Sequence, residues 1–161
     1  METGGLNGPR IVPHRPRPAM TLVPYTQVDD VVFTIRPPEL AARFGPPLAQ
    51  ARNEVGLDEW DYGERVFRFQ NSGRLEEVTQ RAAVVHFGGL AVLFSALRGF
   101  VAMQDREFFE RAGYVVSPRF GLAFVPGEPP WVTALARHCI DTWRALPPGP
   151  AATAPPPIPI L

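Results

Sequence analysis

The sequence contains no lysine and a single cysteine, Cys139. Without lysine the chain cannot form a P-loop, because that motif uses a lysine to reach the phosphates of ATP or GTP. A lone cysteine excludes a disulfide bond within the chain. The longest apolar stretch, residues 88–96, is too short to cross a bilayer, and no secretory signal precedes it. We therefore expect a cytoplasmic protein that makes no membrane contact.

Histidine is also scarce, with His14, His86 and His138 scattered along the chain. Three separate histidines and one cysteine do not form the ligand pattern of a zinc site. His138 precedes Cys139 in a segment that we predict to be helical, where neighbouring side chains point about 100° apart. His138 therefore cannot activate Cys139, and only His86 could do so through a tertiary contact. We predict no catalytic residues, no metal and no cofactor, and a buried structural role for Cys139.

Proline, in contrast, is abundant at both ends of the chain. Twelve of the 20 prolines lie in residues 1–24 or 147–161, and both segments are predicted to be disordered Pro-rich tails. Residues 25–146 between them are enough for one folded domain. The 16 basic and 16 acidic residues cancel, but the first 20 residues hold three arginines and one glutamate, so the domain keeps a small negative excess. This balance argues against a nucleic-acid partner.

Hydrophobic patterns predict the elements of the first half of the domain. A β-branched run at residues 31–35 predicts a strand, and the prolines after it start a helix that ends at Gly45. A second short helix is expected over residues 48–55, closed by Gly56. The clearest hairpin pairs residues 66–69 with residues 74–79 across an Asn-Ser-Gly turn. The broken alternation of the second strand is compatible with a bulge.

The second half is predicted to contain more helix. Apolar spacing favours a helix over residues 90–101, with a β alternative left open for residues 90–94. A short helix from Asp105 to Ala112, two strands bent at Ser117-Pro118, and a final helix over residues 131–146 follow, with Trp131 as a core anchor. This order predicts an α+β fold: a single domain with a mainly antiparallel sheet packed by helices.

An acidic cluster with two aromatic residues is the main candidate for a functional surface. It comprises Glu54, Asp58, Glu59, Trp60, Asp61, Tyr62 and Glu64. It could be a solvated loop with Trp60 folded back on the core. We favour a surface that binds another protein, because aromatic residues anchor interfaces and carboxylates steer a basic partner. Arg119 and Glu128, at the bends of the region 113–131, are added as further contact residues.

Two alternative functions use other parts of the chain. A structural or adaptor subunit would dock through the Pro-rich residues 154–161, where Ile158, Ile160 and Leu161 supply apolar anchors. A small ligand-binding domain or enzyme would instead need a pocket near Arg119 and His86. Tyr114 and a carboxylate such as Glu128 would have to converge with them there.

Two segments resemble features of small bacterial α+β proteins that act as immunity partners of secreted polymorphic toxins. They are residues 44–56 followed by residues 66–78, and residues 117–124 with their Pro-Pro-Trp exit, about a third of the chain together. The resemblance implies a non-enzymatic protein that binds and blocks a cognate toxin, with a basic toxin domain as the partner. An immunity or inhibitor protein that uses the acidic aromatic surface is therefore the predicted function. No oligomeric state is predicted.

Overall fold

β-Strands in two sheets form the larger part of the regular secondary structure in the described chain. The computed structural model describes residues 17–148. The Pro-rich anchors predicted at residues 154–161, and most of the predicted N-terminal tail, lie outside the described residues. In the described part, the smaller sheet has five strands in the order β3-β2-β1-β8-β9. They are β1 (Ala19–Val23), β2 (Gln27–Val28), β3 (Val31–Val32), β8 (Val84–Phe87) and β9 (Leu90–Leu93).

The larger sheet has eight strands over residues 17–148, in the order β10-β11-β12-β13-β7-β6-β5-β4. They are β4 (Ala49–Arg52), β5 (Asp58–Asp61), β6 (Arg65–Phe69), β7 (Leu75–Arg81), β10 (Phe109–Arg111), β11 (Tyr114–Ser117), β12 (Leu122–Phe124) and β13 (Trp131–Leu135). All its pairs are antiparallel. The smaller sheet is also antiparallel except between β1 and β8, which run parallel.

Helices complete the fold, three of them within residues 17–148. They are α1 (Pro37–Phe44), α2 (Phe94–Gln104) and α3 (Cys139–Arg144). One contiguous core contains buried side chains of both sheets, such as Met20 of β1 and Phe67 of β6, together with Leu40 of α1 and Leu97 of α2. A second cluster lies beneath α3, where Trp143 is fully buried. The α+β fold is thus confirmed as one domain with mostly antiparallel sheets.

The predicted hairpin is confirmed, and its strands are β6 and β7. The turn brings the Gly73 N–H to the Gln70 carbonyl oxygen at 2.8 Å, and Gly73 has a φ of +84°, which costs glycine little. The register shifts between Arg68 and Phe69, as the broken alternation suggested. The strand pair at residues 114–116 and 120–125 is also found, as β11 and β12, and the first helix begins at Pro37 as predicted.

The predicted domain start at residue 25 is wrong, because β1 lies in the segment expected to be a disordered tail. Met20 and Leu22 of this strand are fully buried, while Ala19, Thr21 and Val23 are exposed. Such alternation is the signature of a strand with one buried face. Pro18 and Pro24 flank the strand, so in the sequence this segment looks like part of a Pro-rich tail.

Three helix predictions are wrong in whole or in part. Residues 48–55 contain the strand β4, and residues 105–112 contain β10, with Asp105 at the C-terminal end of α2 instead of the start of a helix. The final helix is only α3, and its predicted first half is β13. Trp131 on this strand is partly exposed and lies under the Arg81 guanidinium, so it is not a core anchor. Residues 90–93 form the strand β9, as in the β alternative that the sequence left open for residues 90–94. The helix α2 then begins at Phe94.

Candidate functional site

The predicted acidic surface belongs to a β-hairpin, not to a loop. Four of its residues, 58–61, form β5, which pairs with β4 on one side and β6 on the other. Trp60 is partly buried and packs edge-to-face on Phe69, with ring centroids 5.9 Å apart. Tyr62 packs the same way on Phe67 at 5.8 Å, and its hydroxyl donates to the Gly45 carbonyl oxygen at 2.9 Å. Both rings therefore pack against the core, which leaves them only partly available to a partner.

Most carboxylates of this surface are partly neutralised by neighbours. Arginines lie near three of them: Arg52 Nε is 3.7 Å from Asp58, Arg68 Nε is 3.8 Å from Glu59, and Arg81 Nε is 3.6 Å from Glu64. Asp61 accepts a hydrogen bond from the Gly63 N–H at 2.7 Å. Glu54 is exposed, and no arginine of residues 17–148 lies within ion-pair distance of it. The charges of Asp58, Glu59 and Glu64 are thus offset in part by arginines, whereas Glu54 at the tip of the hairpin has no such neighbour among the described residues.

The outer edge of this hairpin is open. β4 is the last strand of the larger sheet, and its far side has no strand partner among residues 17–148. All four residues of β4 are exposed. Apolar side chains flank the strand, with Leu48 80% exposed and Val55 52% exposed. An exposed edge of this kind offers unpaired backbone donors and acceptors to another chain.

Arg119 and Glu128 do not join the acidic surface. They lie in the connections on either side of β12, and three strands separate β12 from β5. The Arg119 N–H donates to Asp105 Oδ2 at 3.0 Å, and its guanidinium donates to the Gln104 carbonyl oxygen. Arg119 therefore fixes the end of α2 to the turn before β12, while Glu128 is exposed.

The alternative pocket is not supported by the placement of its residues. His86 lies on β8 of the smaller sheet. Tyr114 lies on β11 of the larger sheet, where it packs edge-to-face on Trp143 in the second core cluster, 5.0 Å between ring centroids. Burial raises the pKa of Tyr114 to about 12, which suits a core tyrosine better than a catalytic one.

Sequence reasoning missed a cluster formed by Glu76, His138 and Cys139. The three donor atoms lie within 4.8 Å of one another, and this is the one such group found among residues 17–148. Glu76 Oε2 contacts both other members: it lies 3.0 Å from Cys139 Sγ and hydrogen-bonds His138 Nε2. The cluster borders a cleft of about 200 Å³ that Val55 and Thr142 also line.

The cluster was missed because two of its members were placed in the middle of a long helix. In the structure α3 starts at Cys139 and His138 is the residue before it, so both side chains reach Glu76 of β7. The sequence signal that could have revealed the cluster is Glu76-Glu77, a pair of adjacent carboxylates in a predicted strand. Side chains alternate along a regular strand, but the register shift between Arg68 and Phe69 leaves Glu76 as the extra residue of β7, and both glutamates are buried. His86 has no part in this site, contrary to the pairing considered for Cys139.

The surroundings of Cys139 favour the protonated thiol. Burial raises its pKa, and the Glu76 carboxylate that accepts the hydrogen bond of the thiol raises it further. A nucleophilic cysteine needs the opposite shift. The direction of this shift gives no support to a thiolate nucleophile at Cys139.

A second cleft, of about 360 Å³, adjoins the cluster and shares His138 with it. Arg36, Arg74 and Arg137 line it, but each is already engaged. Arg36 Nη1 donates to the Ser72 carbonyl oxygen at 2.6 Å and Arg74 Nε to Glu76 at 2.9 Å. Arg137 stacks on a tyrosine ring, 4.1 Å from its centroid. These contacts account for the positions of the three arginine side chains without a bound ligand.

Comparisons with protein-family models, curated proteins and solved structures find no significant match to this chain. The resemblance to immunity proteins therefore stays a prediction. In the described part of the chain, no helix combines the length and apolar character needed to cross a membrane.

Proposed function

We propose that this protein is a non-enzymatic protein-binding module that pairs with an extended basic segment of a partner along the open edge of β4. The proposal rests on the open edge of β4. All four residues of this strand are exposed, and Leu48 and the acidic hairpin tip at Glu54 lie beside it. Addition of a partner strand to such an edge supplies main-chain hydrogen bonds, and neighbouring side chains select the sequence.

Backbone geometry indicates which groups of β4 would meet the partner. The Asn53 N–H donates to the Leu57 carbonyl oxygen at 2.8 Å, and the register pairs Ala51 with Glu59. Hydrogen-bonded pairs alternate along an antiparallel ladder, so Ala51 bonds inward to β5. The N–H of Gln50 then points to the open side.

The immunity role is a specific form of this proposal, in which the partner is a toxin whose basic surface the module covers. The acidic residues Asp58, Glu59, Asp61 and Glu64 would contribute long-range steering, since arginines or backbone groups already contact them. Such exposed charges act on the association rate more than on the affinity. Trp60 and Tyr62 would contribute their exposed parts only.

The proposal is tested by capture of the tagged full-length protein expressed from its own locus, with two substitutions at one position. Gln50→Pro removes the outward N–H, whereas Gln50→Ala keeps it; both change the same exposed side chain. We expect a stoichiometric partner with the wild type and Gln50→Ala, and its loss with Gln50→Pro. Equal capture by both variants, at equal folded content by circular dichroism, would reject the β4 edge as the binding site.

A further inference from the structure

The cluster of Glu76, His138 and Cys139 joins three different donor types at one point. Glu76 lies on β7, which is paired on both sides, and the Ala136 N–H donates to the Glu76 carbonyl oxygen at 2.9 Å. That bond fixes the chain just before His138 to the strand that carries the carboxylate. The side chains thus converge because of the fold, not because of their spacing in sequence.

Carboxylate oxygen, imidazole nitrogen and thiolate sulfur are together the ligands of Zn²⁺ in proteins. Zinc bonds of about 2.0–2.3 Å put the donors of a tetrahedral site roughly 3–4 Å apart. The Cys139 Sγ to Glu76 Oε2 distance of 3.0 Å is at the short end of that range. The His138 ring lies closer to the carboxylate and has to draw back, which its side-chain exposure of 39% allows.

The surroundings suit a bound dication. Arg74 Nε donates to Glu76 Oε1 at 2.9 Å, which leaves Oε2 to ligate and orients the carboxylate as an outer-shell partner does. On binding, Zn²⁺ would displace the proton of the Cys139 thiol, and the thiolate and the Glu76 carboxylate would then offset both charges of the ion. This matters because Glu76 and Cys139 are 2% and 4% exposed.

We propose that Glu76, His138 and Cys139 bind one Zn²⁺ ion, with the fourth coordination position open to the cleft lined by Val55 and Thr142. Three protein ligands with an open fourth position leave room for water or an incoming side chain. The cleft lies next to the hairpin tip that contains Val55, but the site does not depend on partner binding at β4.

Cobalt is the most direct probe, because Co²⁺ occupies zinc sites and reports its ligands by absorption. We expect one equivalent of Co²⁺ on the purified full-length protein to give tetrahedral visible bands and a thiolate-to-cobalt charge-transfer band, both abolished by added Zn²⁺. Since Cys139 is the only cysteine, the charge-transfer band reports this site alone, and Cys139→Ser should remove it.

His138→Gln is the second variant, chosen because a partly exposed side chain can be replaced without a cavity. This substitution should weaken Zn²⁺ binding at least about tenfold, because mutation of even an outer-shell partner of a ligand lowers metal affinity by about 10–100-fold. His86→Gln, which alters a histidine on β8, should bind as the wild type does. Absence of the charge-transfer band in the wild type, or equal Zn²⁺ affinity in His138→Gln and the wild type, would overturn the site.

Discussion

Arg68 and Glu77 form the most unusual pair of residues in the molecule, since both side chains are fully buried between neighbouring strands. Arg68 Nη1 lies 3.1 Å from Glu77 Oε2 and donates to Thr79 Oγ1 at 2.8 Å. Burial raises the pKa of Glu77 to about 7, and the nearby arginine only partly opposes this rise. A pKa of about 7 places the charge change of Glu77 close to neutral pH.

The stability of the protein should depend on pH through Glu77. Its pKa is 4.5 in an unperturbed chain and about 7 in the fold, so the folded state holds the proton more tightly. The stability linked to this proton is complete below pH 4.5 and is lost as pH rises through 7, by about 3 kcal/mol at most. Urea denaturation between pH 5 and 8 should show the wild type losing stability relative to Glu77→Gln. Parallel curves for the two proteins would contradict this assignment.

For single residues, the sequence indicates which side chains are candidates for a functional site but not which of them are in contact in the fold. The acidic cluster around Trp60 was identified, yet its arginine neighbours come from strands β4, β6 and β7. Glu76 and His138 are 62 residues apart in the chain. No local pattern links such residues, because only the pairing of β7 with β13 brings them together.

For secondary-structure elements, some glycine and apolar patterns mark where an element lies or ends but predict a helix where the structure has a strand. Gly56 has a φ of +82°, as a helix C-terminal glycine would, but it closes the loop between β4 and β5. Both motifs require the same left-handed glycine, so sequence could not separate them. The spacing of Val132 and Leu135 fits the apolar stripe of a helix over residues 131–146, but both lie on β13, whose last four residues are all buried. A strand covered on both faces has no alternation and can fit a helical stripe.

The turn between β11 and β12 should be sensitive to a single added methyl group. Gly121 has a φ of +62°, and a Cβ there would lie 3.0 Å from the Tyr25 ring, which is held by a hydrogen bond from its hydroxyl to the Pro118 carbonyl oxygen. Gly121→Ala should therefore lower the free energy of unfolding by about 2 kcal/mol.

A matched glycine provides the control for that substitution. Gly99 is exposed in the middle of α2, and no atom lies within 4 Å of an added Cβ. Gly99→Ala should stabilise the protein by up to about 1 kcal/mol, because alanine is the better helix former. Chemical denaturation of both variants measures the contrast, and a Gly121→Ala protein as stable as the wild type would show that the turn is not constrained by Tyr25.

At the scale of the whole molecule, the two sheets share one core and should unfold together. Met20 of the smaller sheet is fully buried in the same cluster as Phe67 and Phe124 of the larger sheet. The α+β class and its antiparallel character were predictable from the order of the strand and turn signals. The division into two sheets was not, because the parallel pairing of β1 with β8 joins residues 65 positions apart, such as Ala19 and Val84, and β1 lies in the segment predicted to be a tail.

Met20→Ala tests this coupling between the sheets. Deletion of a fully buried methionine side chain should cost about 2–5 kcal/mol. The three tryptophans lie on elements of the larger sheet or on α3, so their fluorescence reports on the other side of the core. We expect fluorescence and far-UV circular dichroism to shift together in a single transition. A shift in circular dichroism alone would mean that the smaller sheet unfolds independently.

Photo-crosslinking in the full-length protein tests the proposed binding edge at β4 most directly. A photoreactive amino acid is placed at Leu48, 80% exposed beside β4, or at Met103, 83% exposed at the end of α2, in the full-length protein in its native cells. The two sites match in exposure and apolar character. We expect a single protein adduct from Leu48 and none from Met103. An adduct from Met103 with none from Leu48 would contradict binding at the β4 edge.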